Sequence, residues 1–335
     1  MNAKTRRNVG GPVLVLFLAL GSCLLPMSEQ DYMIEKYTKE LKNFEWNEPP
    51  VADDAGNIFF RGTSSNFFRW SYESGLEEIG PFDGWVSALA VDNAGDALFV
   101  AESNRIWRYD ISTGNRTLVF TETVRPPVEG LCVAEDYLIA DCGTRPTHRL
   151  IRLSDYAEVD TIDWGDDAYS SVYAPSVDKR FMISGYGDEL GYQAVDFGME
   201  NLGSFVKCHD ADGFFYGPLK LFPDESRIAT GTGDIYGTDV NMEHLLTSFD
   251  RSLIDLAFYQ DRILLLGHGQ EDWDDAELVA LSLDTYEPIG DPVVFEHGYD
   301  EARNLFVAGR YLYVIREEWP STYITRFDLE GGWPE

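Results

Sequence analysis

Cysteine is scarce in this chain: four residues in 335, none of them in a C-x-x-C pair. That excludes a zinc knuckle and a dense disulfide framework, although one bridge among Cys132, Cys142 and Cys208 stays open. Basic residues are few, 26 against 58 acidic ones, which leaves a formal net charge of −32. A surface of that sign repels phosphate backbones, so nucleic acid is not an expected partner. It suits cations, basic partners, or simple solvation. The apolar run VLVLFLAL at 13–20 is too short to cross a bilayer as a helix. There is no G-x-S-x-G elbow and no H-E-x-x-H pair, and the five histidines fall at no ligand-like spacing. Gly231-Thr232-Gly233 joins two strand-like segments and opens no helix, so it is not a phosphate loop. What the chain does have is apolar and aromatic mass, 44% and 14% of its residues, enough for a large buried core.

The first thirty residues stand apart from that core. A basic start (Lys4, Arg6, Arg7) leads into the apolar run, and Leu20-Gly21-Ser22-Cys23 follows. This resembles the signal and lipobox of bacterial lipoproteins. The resemblance implies cleavage after residue 22, a diacylglycerol thioether and palmitate on Cys23, and a cell-envelope protein held on a bacterial membrane. Without residues 1–22 the net charge is −35. Residues 23–42 then read as a tether. Ser28 can cap a short helix over 28–42, with Met33, Tyr37 and Leu41 on one face. Lys36, Lys39 and Lys42 would make that tether basic beside anionic headgroups.

From residue 43 to 335 the chain repeats. One segment is a strand running into a tight polar turn, seen in FFRWSYESG (67–75), IWRYDISTG (106–114), LIRLSDYAE (150–158) and ITRFDLEGG (324–332), with three further copies between. Each is preceded by two apolar strands around a short turn, as in ALAVDNAGDALFVA (88–101) and IDLAFYQDRILLLG (254–267). The period of about 40 residues is that of a four-stranded propeller blade. Seven copies predict an all-β fold, a seven-bladed β-propeller of antiparallel blades. The final copy is too short for its own outermost strand, and NFEW (43–46) is the expected N-terminal strand that completes it. The pattern is similar to the WD40-like and YVTN-like propellers. It departs from true WD40 repeats, since no blade pairs Gly-His with a strand-ending Trp-Asp. The resemblance therefore implies a fold and no particular activity.

Loop length separates two faces. One face carries short turns such as Asp53–Gly56 and Asp92–Gly95. The other carries longer loops rich in acids, aromatics and histidine, among them PFDGW (81–85), TETVRPPVE (121–129) and GHGQEDWDDAE (267–277). Binding residues concentrate on such loops. Candidate ligand-binding residues there are Trp85, Trp164, Tyr169, Tyr216, His268, His297 and Trp319. Asp83, Asp167 and Asp250 sit at equivalent positions before inner strands, where converging carboxylates could hold Ca2+; the alternative is that they are solvated turn residues. Two function classes follow. One is a non-catalytic binding or scaffold module for an envelope protein, peptide or polysaccharide. The other is a propeller enzyme of the lyase or lactonase kind with one divalent cation at the channel.

Overall fold

A computed structural model describes residues 38–331 except 42–49, 54, 62–64, 93, 125–126, 143–146, 164–172, 176–178, 185–188, 211–217, 239–244, 250, 269–274, 296–299 and 319–320. All regular elements among them are β-strands, in four-stranded antiparallel sheets that form the blades of a propeller. Six blades are continuous in sequence: blade 1 (51–79), blade 2 (86–121), blade 3 (128–163), blade 4 (173–210), blade 5 (220–248) and blade 6 (253–295). A seventh sheet is composite, made of three strands over 300–328 plus the N-terminal strand Thr38–Leu41.

Burial explains the sequence pattern of each blade. The second strand of blade 2, Ala97–Glu102, is buried at all six positions, because blades cover it on both faces. The outer strand Gly75–Ile79 has three exposed residues in a row. The core therefore lies in the seams. Phe59, Phe67 and Phe82 of blade 1 and its following loop pack with Val86, Leu98 and Tyr109 of blade 2, with Phe67 edge-on to Tyr109 at 5.4 Å. Between blades 2 and 3 the cluster includes Phe99, Ile106, Leu138 and Ile151. Trp70 of blade 1 meets Tyr313 of the composite blade edge-on at 5.9 Å, and Ile58, Phe60 and Ile315 fill the rest of that seam.

Closure differs from the expectation in position and in conformation. The strand seen in that place is Thr38–Leu41, paired antiparallel with 322–325 (Thr38 opposite Thr325, Leu41 opposite Thr322); residues 43–46 lie outside the described ones. The same pairing overturns the expected helix at its C-terminal end; residues 28–37 lie outside the described ones. A lone turn of helix is marginal in water, whereas the open edge of the composite sheet offers a full ladder of backbone partners. Ser321 Oγ also donates to Glu40 Oε1 at 2.8 Å. Lys39 packs on blade 1: its ammonium bonds the Tyr72 carbonyl and sits 3.8 Å from that ring's centroid, while Arg326 covers the same ring at 3.3 Å. One strand thus ties the composite blade to blade 1.

The short turns are built on aspartate, as read. Asp53 accepts from the Asn57 backbone N–H at 2.8 Å, and Asp92 accepts from those of Asp96 and Ala97 at 3.0 and 3.1 Å. Bonds from Ser112 and Thr113 hold the Asp110 carboxyl down at about 2. An arginine recurs near the end of the repeated strand at Arg69, Arg108, Arg152 and Arg326, two residues before the turn's first residue except at Arg152, which is that residue itself. Each is paired: with Glu77, Asp96, Glu200 and Glu73 respectively. Arg152 and Arg326 reach into the next blade, so part of the repeat encodes stitching between blades. Cys132 and Cys142 are both buried free thiols, so no bridge joins them. Burial, followed by the charge of Glu122, pushes the Cys142 thiol well above its ordinary range, which keeps it protonated and inert.

Candidate functional site

The long-loop face is best defined around blade 2, where two loops and one strand turn are bonded into a single ledge. Loop 80–85 enters blade 2. Phe82 roots it in the seam, 5% exposed, and the Phe82 N–H donates to the Ser65 carbonyl at 2.9 Å. Gly84 follows, and its N–H donates to Glu102 Oε1 at 2.6 Å. A side chain at Gly84 would place a Cβ 2.3 Å from Ser103 Oγ, so glycine is what lets the loop lie this close. Glu102 is 2% exposed, and its second oxygen accepts from Trp107 Nε1 at 2.6 Å.

The turn Ser103–Asn104 holds the two loops together. Ser103 has φ of 53°, a left-handed conformation costing a serine about 1 kcal/mol. Bonds on both sides keep it there: its N–H donates to the Trp85 carbonyl at 2.9 Å, and its carbonyl accepts from Val128 N–H at 2.7 Å. Asn104 bonds the backbone of Glu122 twice, at 2.7 and 2.9 Å. The Glu122 side chain, 1% exposed, accepts from Val124 N–H at 2.6 Å and from Arg149 Nε at 2.7 Å. Arg149 also bonds Glu158 and Thr161 at 3.0 and 2.7 Å. Burial works to lower the Arg149 pKa, and the bond and charge of Glu122 outweigh it, so the guanidinium stays firmly charged. Beneath Trp85, Arg61 Nη1 donates to the Ser87 carbonyl at 2.8 Å and its guanidinium lies 5.7 Å from the Trp85 ring centroid.

Both buried carboxylates are thus filled by protein donors, and their work is to fix loops. What the ledge presents to solvent is Trp85, 50% exposed, and Val124, 72% exposed. Beside them stands the Asp83 side chain, 87% exposed, with Arg105 Nη1 at 3.9 Å, beyond hydrogen-bond range. A large aromatic held half out of water by a bonded loop is an anchor for a partner, with little further ordering needed on contact.

Of the residues singled out from the sequence, Trp85 and Asp83 come together on this ledge. His268 ends the strand Arg262–His268 of blade 6, with its N–H 3.3 Å from the Ser252 carbonyl, and belongs to another part of the same face. Cys23, Trp164, Tyr169, Tyr216, His297, Trp319, Asp167 and Asp250 lie outside the described residues. Among the described residues no three His, Cys, Asp or Glu side chains group as metal ligands. The inner-strand carboxylate that sequence reading missed is Asp255. It accepts from Leu256 and Leu305 N–H at 2.8 Å each and pairs with Lys220 Nζ at 2.8 Å, so it joins the inner strands of blades 5 and 6 and of the composite sheet. Glu102, Glu122 and Arg149 were also missed. Their signal was weak: charged residues beside apolar strands, which ordinarily point to solvent.

No protein-family model matches this chain, and neither does any curated protein. Solved structures do. The chain is similar to U3-55K, with a TM-score of 0.61 and 13% identity over 87% of this chain and 99% of that one. It is similar to the WD40 repeats of RRP9, with a TM-score of 0.61 and 13% identity over 87% and 97% of the two chains. A third is the β-propeller domain of Cps50 (Swd1) from Myceliophteria thermophila, with a TM-score of 0.57 and 11% identity over 87% and 98%. This chain has the WD40 β-propeller fold. At such identities the likeness carries the fold alone, so a WD40-type propeller is recovered here without the Gly-His and Trp-Asp signature that names the repeat.

Proposed function

We propose that this protein is a non-catalytic binding module, a WD40-type propeller that engages a protein partner through its long-loop face, with the blade 2 ledge as its contact. The observation that carries this reading is the bonded loop pair that holds Trp85 half exposed over the buried carboxylates Glu102 and Glu122. Rigid scaffolds with fixed aromatic anchors bind without paying much ordering entropy. Trp85→Ala is the test. Its exposed ring contributes little to folding, so the melting temperature should stay within a degree or two. Capture of a partner from envelope extracts should fall by thirtyfold or more, the loss of about 2 kcal/mol that marks an anchor residue. Retained capture would move the contact elsewhere on the disc.

The N-terminal pattern supports a second part of the proposal: the propeller is lipid-anchored at a bacterial envelope through Cys23. A single acyl chain holds a protein only marginally, whereas the several chains of a lipoprotein hold it firmly. Cys23→Ser should therefore release the protein from the membrane fraction while its melting temperature is unchanged. A mutant that sediments with membranes like the wild type would show that the lipid does not hold it.

A further inference from the structure

We infer that the ledge takes a cationic, amphipathic segment of its partner protein: an apolar side chain laid against Trp85 and Val124, and a lysine or arginine beside Asp83. This rests on the ledge being the binding site. The argument is charge complementarity at two ranges. Close by, two of the described cations of the ledge are engaged. Arg149 is bonded to Glu122 and Glu158, and Arg61 is bonded to the Ser87 carbonyl under the Trp85 ring. Asp83 keeps 87% of its side chain in solvent, two residues from the anchor, and forms a loose, solvent-screened ion pair with Arg105 at 3.9 Å, which a better-placed partner cation can displace. Farther out, the chain carries a net charge of −32. Salt screens fields over about 8 Å at physiological strength, so the distant charges draw a cation in and only the nearby carboxylate holds it. An acidic segment would meet repulsion at both ranges.

The test uses full-length protein in mild detergent and two labelled ten-residue peptides with the same four leucines. One carries six lysines and the other six glutamates. Fluorescence anisotropy gives affinity, and stopped flow gives the association rate. The lysine peptide should bind at least tenfold tighter than the glutamate peptide at low salt, with association slowing steeply as salt rises. Trp85→Ala should weaken the lysine peptide about tenfold or more. Asp83→Lys should weaken it several-fold and flatten its salt dependence. Leu245→Ser with Leu246→Ser, two half-exposed leucines on the outer strand of blade 5, should change neither. If both peptides bind equally and both depend on Trp85, the ledge binds but the charge inference is wrong. If lysine-peptide binding ignores Trp85 and Asp83, it is diffuse attraction to an acidic body, and the ledge reading fails as well.

Discussion

Glu122→Ala should cost the propeller about 3–5 kcal/mol, the penalty for leaving a buried charge without its partner. Glu122 is 1% exposed and Arg149 is 8% exposed, so water cannot replace the lost carboxylate without opening the seam between blades 2 and 3. Glu158, 3.0 Å from Arg149 Nη1, remains as a partial counter-charge. The Val124 N–H loses its acceptor at the same time. The loss should appear as a lower melting temperature, and as faster amide exchange at Val124 and Val128 than at the distant strand Arg262–His268. Glu122→Gln keeps the shape and the acceptor while removing the charge, and should fall between the two. A Glu122→Ala protein as stable as the wild type would mean the ledge is not held by this carboxylate.

Removing residues 1–41 should destabilise the ring far more than removing 1–37. The difference is the strand Thr38–Leu41, four residues of ladder along 322–325. At 0.5–1.5 kcal/mol per net hydrogen bond, about four bonds are worth roughly 2–6 kcal/mol. For a domain of this size that is a fall of roughly 5–15 °C in melting temperature. The strand Ser321–Asp328 is also left as an open edge, so the shorter protein should aggregate on heating at concentrations where the longer one does not. Lys39 adds a second loss, since it links this strand to Tyr72 of blade 1. Equal melting temperatures would show that the ring closes without its N-terminal strand.

Much of the site's frame was legible before the fold. Loop 81–85 was recognisable because its Pro, Asp and Gly interrupt two apolar strands, and Trp85 stood out as an aromatic in a polar setting. The carboxylates that make the ledge rigid were not. Nothing local separates Glu102, at the end of the strand Ala97–Glu102, from an ordinary solvated strand-end acid. Only the Gly84 N–H and the Trp107 indole, brought in from 18 residues before and 5 after, turn it into a buried anchor. Asp255 is the same case. Its partners Lys220 and Leu305 are contributed by the blades on either side of its own.

The repeat, the antiparallel blades and the division into a short-turn face and a long-loop face follow from the sequence alone. Alternation, turn residues and period act over a few residues and need no distant partner. Where the chain ends meet was decided by tertiary structure. Thr38–Leu41 reads as the end of a helix, and an unpaired blade edge some 280 residues later makes it a strand. The repeated turns show the division most clearly. In five of the repeated turns the fifth residue is left-handed, and Gly75 and Gly114 fit it at no cost, as the repeat suggests. Tyr156, Glu200 and Tyr286 occupy the same place against their preference. Tyr156 and Tyr286 pack into the seams, and Glu200 receives Arg152 from the neighbouring blade. A cost of about 1–2 kcal/mol in local conformation is offset by contacts across a seam, which exists only once the ring has closed.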